Sequence, residues 1–271
     1  FKVTQKQKGL IPFTIAQIKE DSIIQSIAIK DYKKTHHFKL KNLQSDYVVI
    51  NPKVKIPEFN QLNNYKRVSK TSIKPLKFTF IKDFEDPKRN QIFFNPITDF
   101  NAYEGLTFGT RLSNKSFERK PIIYEITPMY SLKLNEIVGS VKFNYLIYKE
   151  KSSFYLTNIG FYGSNYHYDE NLRYQTFIPS ITFAKRPSDF RLNKREFFSI
   201  NLVQVNQEYG TNVNITPNYS IGNLRYLYSN KEAIRVFSTG GRLEFSDLLG
   251  KLSINPVSYT HLRAHETRHD L

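Results

Sequence analysis

The sequence predicts an all-β protein in which a truncated β-sandwich is followed by an antiparallel up-and-down meander of an incomplete outer-membrane-type β-barrel. Three observations predict it. From Tyr103 to Phe245 aromatic and β-branched residues alternate with polar ones at the period of two that a half-buried strand requires. The alternating segments run to about 10 to 14 residues, long enough to cross a bilayer as tilted strands. No run approaches the roughly 18 to 20 apolar residues of a spanning helix, and the hydrophobic content of 39% is low for a helical membrane protein.

Residues 1–64 read as the sandwich. Phe1–Gln7, Ile11–Ile18, Ser22–Ile29, Thr35–Leu40 and Asp46–Ile50 each have strand character, and Lys8-Gly9, Glu20-Asp21, Asp31-Tyr32 and Asn42-Leu43 separate them. Five short strands at this spacing suit part of a β-sandwich. The chain starts with Phe1 inside a strand and shows no charged-then-apolar leader, so further sandwich strands and any leader are expected upstream.

From Asn51 onward the composition shifts: Pro52, Pro57 and Pro75 punctuate a polar, Asn- and Lys-rich stretch. Residues 65–91 are read as a linker or strap, with one more strand at Lys77–Phe84 and a turn at Asp86–Asn90. Asp83, Glu85 and Asp86 form a small acidic cluster there; its oxygens could ligate calcium, but a solvated loop is the simpler reading.

Residues 92–256 are read as the barrel meander. Its strands fall near 103–113, 120–132, 137–149, 154–166, 172–185, 195–206, 219–229 and 235–247, with a ninth starting at Lys251. Leu106, Phe108, Thr110 and Leu112 share one side of the first, and Ile122, Tyr124, Ile126, Pro128, Tyr130 and Leu132 one side of the second. Mixed short and longer connections between spanning strands fit an outer-membrane barrel. A soluble lipocalin-like barrel or a large sandwich would alternate in the same way. Against that stand 18 Tyr and 22 Phe with no Trp. These aromatics gather near strand ends, making Phe154, Tyr155, Tyr162, Tyr166, Tyr168, Tyr226 and Tyr228 candidates for a membrane-interface girdle.

The net charge of +16 raises the question of nucleic acid. Lys and Arg are spread along the whole chain rather than gathered on one helix, and no nucleic-acid motif accompanies them. No nucleic-acid partner is therefore expected; strand ends, loops and lumen account for the charge, and they can face anionic headgroups. Without cysteine the chain has neither disulfide nor thiolate chemistry. No Ser-His-Asp order, phosphate loop or dinucleotide-binding glycine pattern is present, and no catalytic residue is assigned. His36 and His37 are strand neighbours whose side chains must point to opposite faces. His167 reads as a loop or interface residue, and Glu104 as a hydrogen-bonding group on the polar side of the barrel.

His265-Glu266-Thr267-Arg268-His269 satisfies H-E-x-x-H, which on a helix would set His265 and His269 on one face for zinc with Glu266 as general base. Here it follows a β-region, with no amphipathic helix to hold the pair. Moreover, Val257-Ser258-Tyr259-Thr260-His261-Leu262-Arg263-Ala264-His265-Glu266-Thr267 resembles the conceptual translation of a transposase-type sequencing adapter. Residues 257–271 are therefore expected to be an adapter-derived tail, and the zinc motif spurious.

Two groups of motifs carry a family resemblance. Leu10-Ile11-Pro12-Phe13-Thr14-Ile15, Val48-Val49-Ile50-Asn51-Pro52 and Ile56-Pro57-Glu58-Phe59-Asn60-Gln61-Leu62-Asn63-Asn64 form the first. The second is Phe94-Asn95-Pro96-Ile97-Thr98-Asp99-Phe100-Asn101-Ala102-Tyr103-Glu104-Gly105-Leu106 together with Tyr124-Glu125-Ile126-Thr127-Pro128-Met129-Tyr130-Ser131. The first resembles the immunoglobulin-like domain that follows the protease in Gram-negative aminopeptidase N-like gluzincin zinc metallopeptidases, and the second the opening strands of an associated outer-membrane β-region. The resemblance covers about residues 1 to 256. It implies a non-catalytic C-terminal anchoring region, inactive by itself, located in the outer membrane with the lipid bilayer as its partner. Zinc and peptide substrate are implied only for the parent's missing catalytic module, and no cofactor for this chain. The alternative is a transport or secretion β-barrel with a periplasmic sandwich domain.

Overall fold

The computed structural model describes residues 1–5, 11–31, 33–41, 44–56, 58, 61–68, 73–118, 120–149, 152–189, 191–209, 218–232, 235–247 and 250–260. Across them the protein is all-β; a single 3-10 turn, Leu62–Asn64, is the only helical element among the described residues. None of these residues forms a helix long and apolar enough to cross a membrane, a criterion that does not bear on strands. The chain divides into two compact units, residues 1–94 with 114–119, and residues 95–113 with 120–271.

In the first unit β1 (Lys2–Thr4) pairs antiparallel with β4 (Thr35–His37). A second sheet has the order β3-β2-β5-β6, built from β2 (Phe13–Lys19), β3 (Ser22–Ile29), β5 (Tyr47–Ile50) and β6 (Tyr65–Arg67). Glu20 and Asp21 join β2 to β3 with φ of 45° and 67°, the left-handed pair that a two-residue hairpin turn requires. Phe13, Ile15 and Val48 from the larger sheet form the core, and Val3, Phe38, Ile50 and Val68 pack against them. Apolar side chains from both sheets thus meet in a sandwich interior. The expected strand Thr35–Leu40 stops at His37, and the Phe38 side chain joins the core.

Two strands lie in the stretch expected as linker. β6 extends the larger sheet through Tyr47↔Arg67, Val48↔Lys66 and Val49↔Tyr65. β7 (Leu76–Phe80) pairs with the first part of β8 (Asn90–Asn101), and that pairing is parallel. Ile81 at φ 58° turns the chain out of the strand. The return is held where the Asp86 carboxylate accepts from the Lys88 amide at 2.9 Å.

The second unit is the meander. It runs β9 (Gly105–Ser113), β10 (Ile122–Ser131), β11 (Glu136–Tyr148), β12 (Phe154–Asp169), β13 (Leu172–Lys185), β14 (Lys194–Gln207), β15 (Tyr219–Lys231), β16 (Arg235–Phe245) and β17 (Gly250–Thr260). Together with β8 these strands stand in sequence order, and from β9 to β17 each strand pairs antiparallel with its chain neighbours. The strands therefore fall where alternation places them, within a residue or two at most boundaries. The sheet of 11 strands ends on β17 and β7, and among the described residues it does not close into a barrel. Residues 257–260 continue β17, with Val257 opposite Ser238.

Register fixes which side chains share a face. The pairs Tyr130↔Phe108, Ile126↔Val141, Val141↔Gly163, Phe161↔Pro179, Ile181↔Ile200, Ile200↔Leu224 and Leu224↔Leu243 put all of these residues on one side. That side is apolar and exposed: Ile137 is 70% accessible, Ile200 49% and Ile254 66%. The buried residues Thr107, Thr127, Met129, Ser131, Val138, Ser164, Ala184, Val205 and Asn223 lie on the other side.

Gly139 shows how tightly β10 and β11 approach. It sits opposite Pro128 at φ 140°, and a Cβ there would lie 2.0 Å from the Thr127 carbonyl oxygen.

Candidate functional site

The polar side of the meander is cross-braced by its own side chains. Asn158 Nδ2 donates to Asn144 Oδ1 at 3.1 Å, Arg242 donates through Nε and Nη2 to Asn223 Oδ1 at 3.1 and 3.0 Å, and the Thr182 and Ser199 hydroxyls lie 3.0 Å apart. Arg111 faces Glu125 at 3.7 Å. Part of the hydrogen-bond capacity of that side is thereby used within the protein, while Asn158 Oδ1, Thr176 Oγ1 and Asn201 Oδ1 are buried without a partner.

The opposite side presents an apolar band with polar margins. Along β13 the outward positions read Gln175, Phe177, Pro179, Ile181, Phe183 and Lys185. From Gln175 to Lys185 the strand rises about 33 Å, of which the apolar positions Phe177 to Phe183 occupy about 20 Å. On β14 Glu196 and Gln204 play the same bounding part.

One rim of the meander, which we call upper, holds the turns after β8, β10 and β12. Glu104, in the first of these, is 1% exposed. Asn101 closes that turn: its Oδ1 accepts from the Glu104 amide at 2.7 Å, and its Nδ2 donates to Glu104 Oε2 at 2.8 Å. Glu104 Oε1 accepts from the His167 amide at 2.9 Å and lies 3.3 Å from His167 Nδ1. On its other edge the imidazole has Nε2 3.2 Å from Glu136 Oε2, and Arg173 also binds Glu136. Ser131 Oγ donates to the Glu104 carbonyl at 2.7 Å and accepts from the Leu134 amide at 3.1 Å. The network ties β8, the turn after it, β10, β11, β12 and β13 at one level.

His167, expected in a loop or interface, is instead buried near the end of β12, because the Glu104 carboxylate recruits both its amide and its ring. Glu104 has the hydrogen-bonding role expected of it. The interface candidates divide. Phe154 packs on Phe183 and Phe198 at 6.4 and 6.3 Å, Phe198 on Tyr226 at 4.8 Å, and Tyr228 on Phe237 at 6.1 Å. These form an aromatic row across β12 to β16 near the lower rim. Tyr155 lies beneath the Arg186 guanidinium at 4.6 Å. Tyr162 is opposite Lys142 and Tyr166 opposite Tyr174, both on the polar side, because even-numbered β12 positions face that way. The Tyr168 hydroxyl donates to the Glu208 carbonyl at the upper rim. Sequence reasoning missed Phe183, Phe198 and Phe237, which complete the row; their outward position on strands already predicted was the available signal.

No family model, curated protein or solved structure matches the chain.

The motif residues in the first unit also converge. Asn51, at φ 52°, donates through Nδ2 to the Ile56 carbonyl at 2.7 Å and to Glu58 Oε1 at 3.1 Å, while Asn64 Nδ2 donates to Glu58 Oε2 at 2.8 Å. His36 is buried, with Nε2 2.9 Å from the Lys33 carbonyl and its ring 5.9 Å from Phe38, whereas His37 is exposed. Among the described residues no three His, Cys, Asp or Glu side chains are grouped to hold a metal ion. His265, Glu266 and His269 lie outside the described residues.

Proposed function

We propose that this chain is a non-catalytic membrane anchor, in which the meander sits in the outer membrane of a Gram-negative cell and the sandwich unit connects it to a zinc aminopeptidase-like module. The observation that carries the membrane half is the inverted distribution of side chains in the meander. Its accessible face is apolar across nine strands, a contiguous exposure that soluble monomers rarely show, and its withdrawn face is rich in polar side chains, many of them cross-braced by hydrogen bonds. Lipid rewards that arrangement and water does not. The aromatic row at one margin of the band supports the same reading. The peptidase half rests on the motif resemblance alone, whose residues Asn51, Glu58, Asn64, Glu104 and Ser131 all have hydrogen-bonding roles in this fold.

Phase separation with a mild detergent tests the anchor. The chain is expected in the detergent phase, and a monodisperse monomer in plain buffer would sink the reading. Conductance across planar bilayers separates anchoring from transport: steady ion-conducting steps would favour a transport barrel.

A further inference from the structure

The two rims of the meander carry opposite charge. In and beside the upper connections stand Glu104, Glu136, Asp169, Glu170, Glu208 and Asp247 against Lys133, Arg173 and Lys251. In and beside the lower connections of the second unit stand Lys120, Lys149, Lys185, Arg186, Arg191, Lys194, Arg195 and Lys231 against Asp189, Glu196 and Glu232. The aromatic row of Phe154, Phe183, Phe198, Tyr226 and Tyr228 belongs to the lower, basic rim, and the two features interlock. Lys185 Nζ binds Glu196 Oε1 at 3.0 Å, Glu196 Oε2 accepts from the Tyr226 hydroxyl at 3.3 Å, and Arg186 covers Tyr155. Arg191 reaches past this layer; its side chain is 91% exposed even while paired with Asp189. Lys149, Lys194 and Lys231 are exposed as well.

We infer that the lower rim seats against anionic lipid headgroups, so that the meander selects the leaflet and lipid class at that margin. The inference rests on the membrane reading above and adds the chemistry of the partner. Aromatic rings at the edge of an apolar band lie at headgroup level. Basic side chains just beyond them then stand among the phosphates, where each contributes an attraction that salt screens. The acidic upper rim gains nothing from such lipids, so the selectivity is confined to one end.

The full chain would be reconstituted in bilayers containing spin-labelled phosphatidylglycerol or spin-labelled phosphatidylcholine, and the motionally restricted fraction of each label measured. The expected result is a restricted component from both lipids, with phosphatidylglycerol preferred about 5-fold, as one effective headgroup contact gives. The preference should fall toward unity at high salt, and in the K149Q/K194Q/K231Q variant at low salt. Equal restriction of both lipids, or a preference that the variant retains, would overturn the basic-rim assignment while leaving the membrane reading standing. No restricted component from either lipid would overturn the membrane reading itself, and this inference with it.

Discussion

In the first unit the side chains withdrawn from water include Phe13, Ile15, Val48 and Val49 beside Gln17, His36, Asn51 and Asn64; in the meander they include Thr107, Thr127, Ser131, Ser164 and Asn223 beside Met129, Val138, Ala184 and Val205, while many isoleucines and phenylalanines stand outside. Both regions are built from alternating strands, so periodicity does not separate them. What differs is the solvent each sheet is suited to. The sandwich turns an apolar side inward, as the hydrophobic effect favours in water, whereas the meander leaves its apolar side accessible, the side that the proposed membrane anchor would set against lipid.

Five substitutions or conditions would break or sharpen that contrast. His167→Ala is expected to do most, because it takes from the buried Glu104 and from Glu136 the ring between them; leaving a buried carboxyl group short of its hydrogen-bond partner costs about 3 kcal/mol or more. Urea unfolding of the detergent-solubilised chain measures it, and an unchanged midpoint would deny the upper-rim network its holding role. Ile15→Ala, at a position 2% exposed, should cost the sandwich about 2–5 kcal/mol through lost burial and the cavity left behind. Hydrogen exchange resolved by unit should locate that loss in residues 1–94.

Ile200→Arg reverses the logic. In a bilayer it should destabilise the meander by about 2–4 kcal/mol, whereas on a water-facing surface the change would stay within about 0.5 kcal/mol. Comparing unfolding in lipid vesicles with that of Ile200→Ala decides between these. Asn51→Ala removes two donations and places alanine at positive φ, for an expected loss of about 1–2 kcal/mol, read as a lower melting temperature of the sandwich.

The smallest effect concerns pH. The Lys88 ammonium holds the Asp21 carboxyl below the usual range, and the same contact raises Lys88. The carboxylate's contribution is therefore complete above the unfolded Asp value of about 3.9 and fades as pH falls through the depressed folded value. The ammonium's contribution is complete below about 10.4 and fades as pH rises through its elevated folded value. Asp21→Asn should flatten both limbs slightly in thermal melts, and a steeper acid limb would contradict the pairing.

Much of this fold is legible in the sequence for a specific reason. A strand with one apolar side writes that side into every second residue, so Ile122–Ser131, Leu172–Lys185 and Tyr219–Lys231 could be placed from alternation alone. The strand expected at Lys77–Phe84 is present as Leu76–Phe80, whereas Tyr65–Arg67 is too short to establish a period and is a strand because neighbouring backbone pairs with it. Alternation also separates two faces without saying which one is withdrawn. Tyr162 and Tyr226 look equivalent as aromatics near strand ends, yet register sends one to the polar side and the other to the apolar row. The upper-rim site was legible only in part. Glu104 sits in an evident turn, but its partner His167 lies 63 residues away, and only the stacking of successive hairpins brings the two to the same height.

The sequential order of the meander also bears on how the sheet can be assembled. From β9 to β17 each strand's pairing partners are its neighbours along the chain, so any hairpin can form before the next is in place, and loop closure never spans more than one connection at a time. The sheet can therefore grow by stepwise addition. Each added hairpin exposes a fresh edge that templates the next strand, and a block at one turn halts growth beyond it while leaving the strands already paired intact.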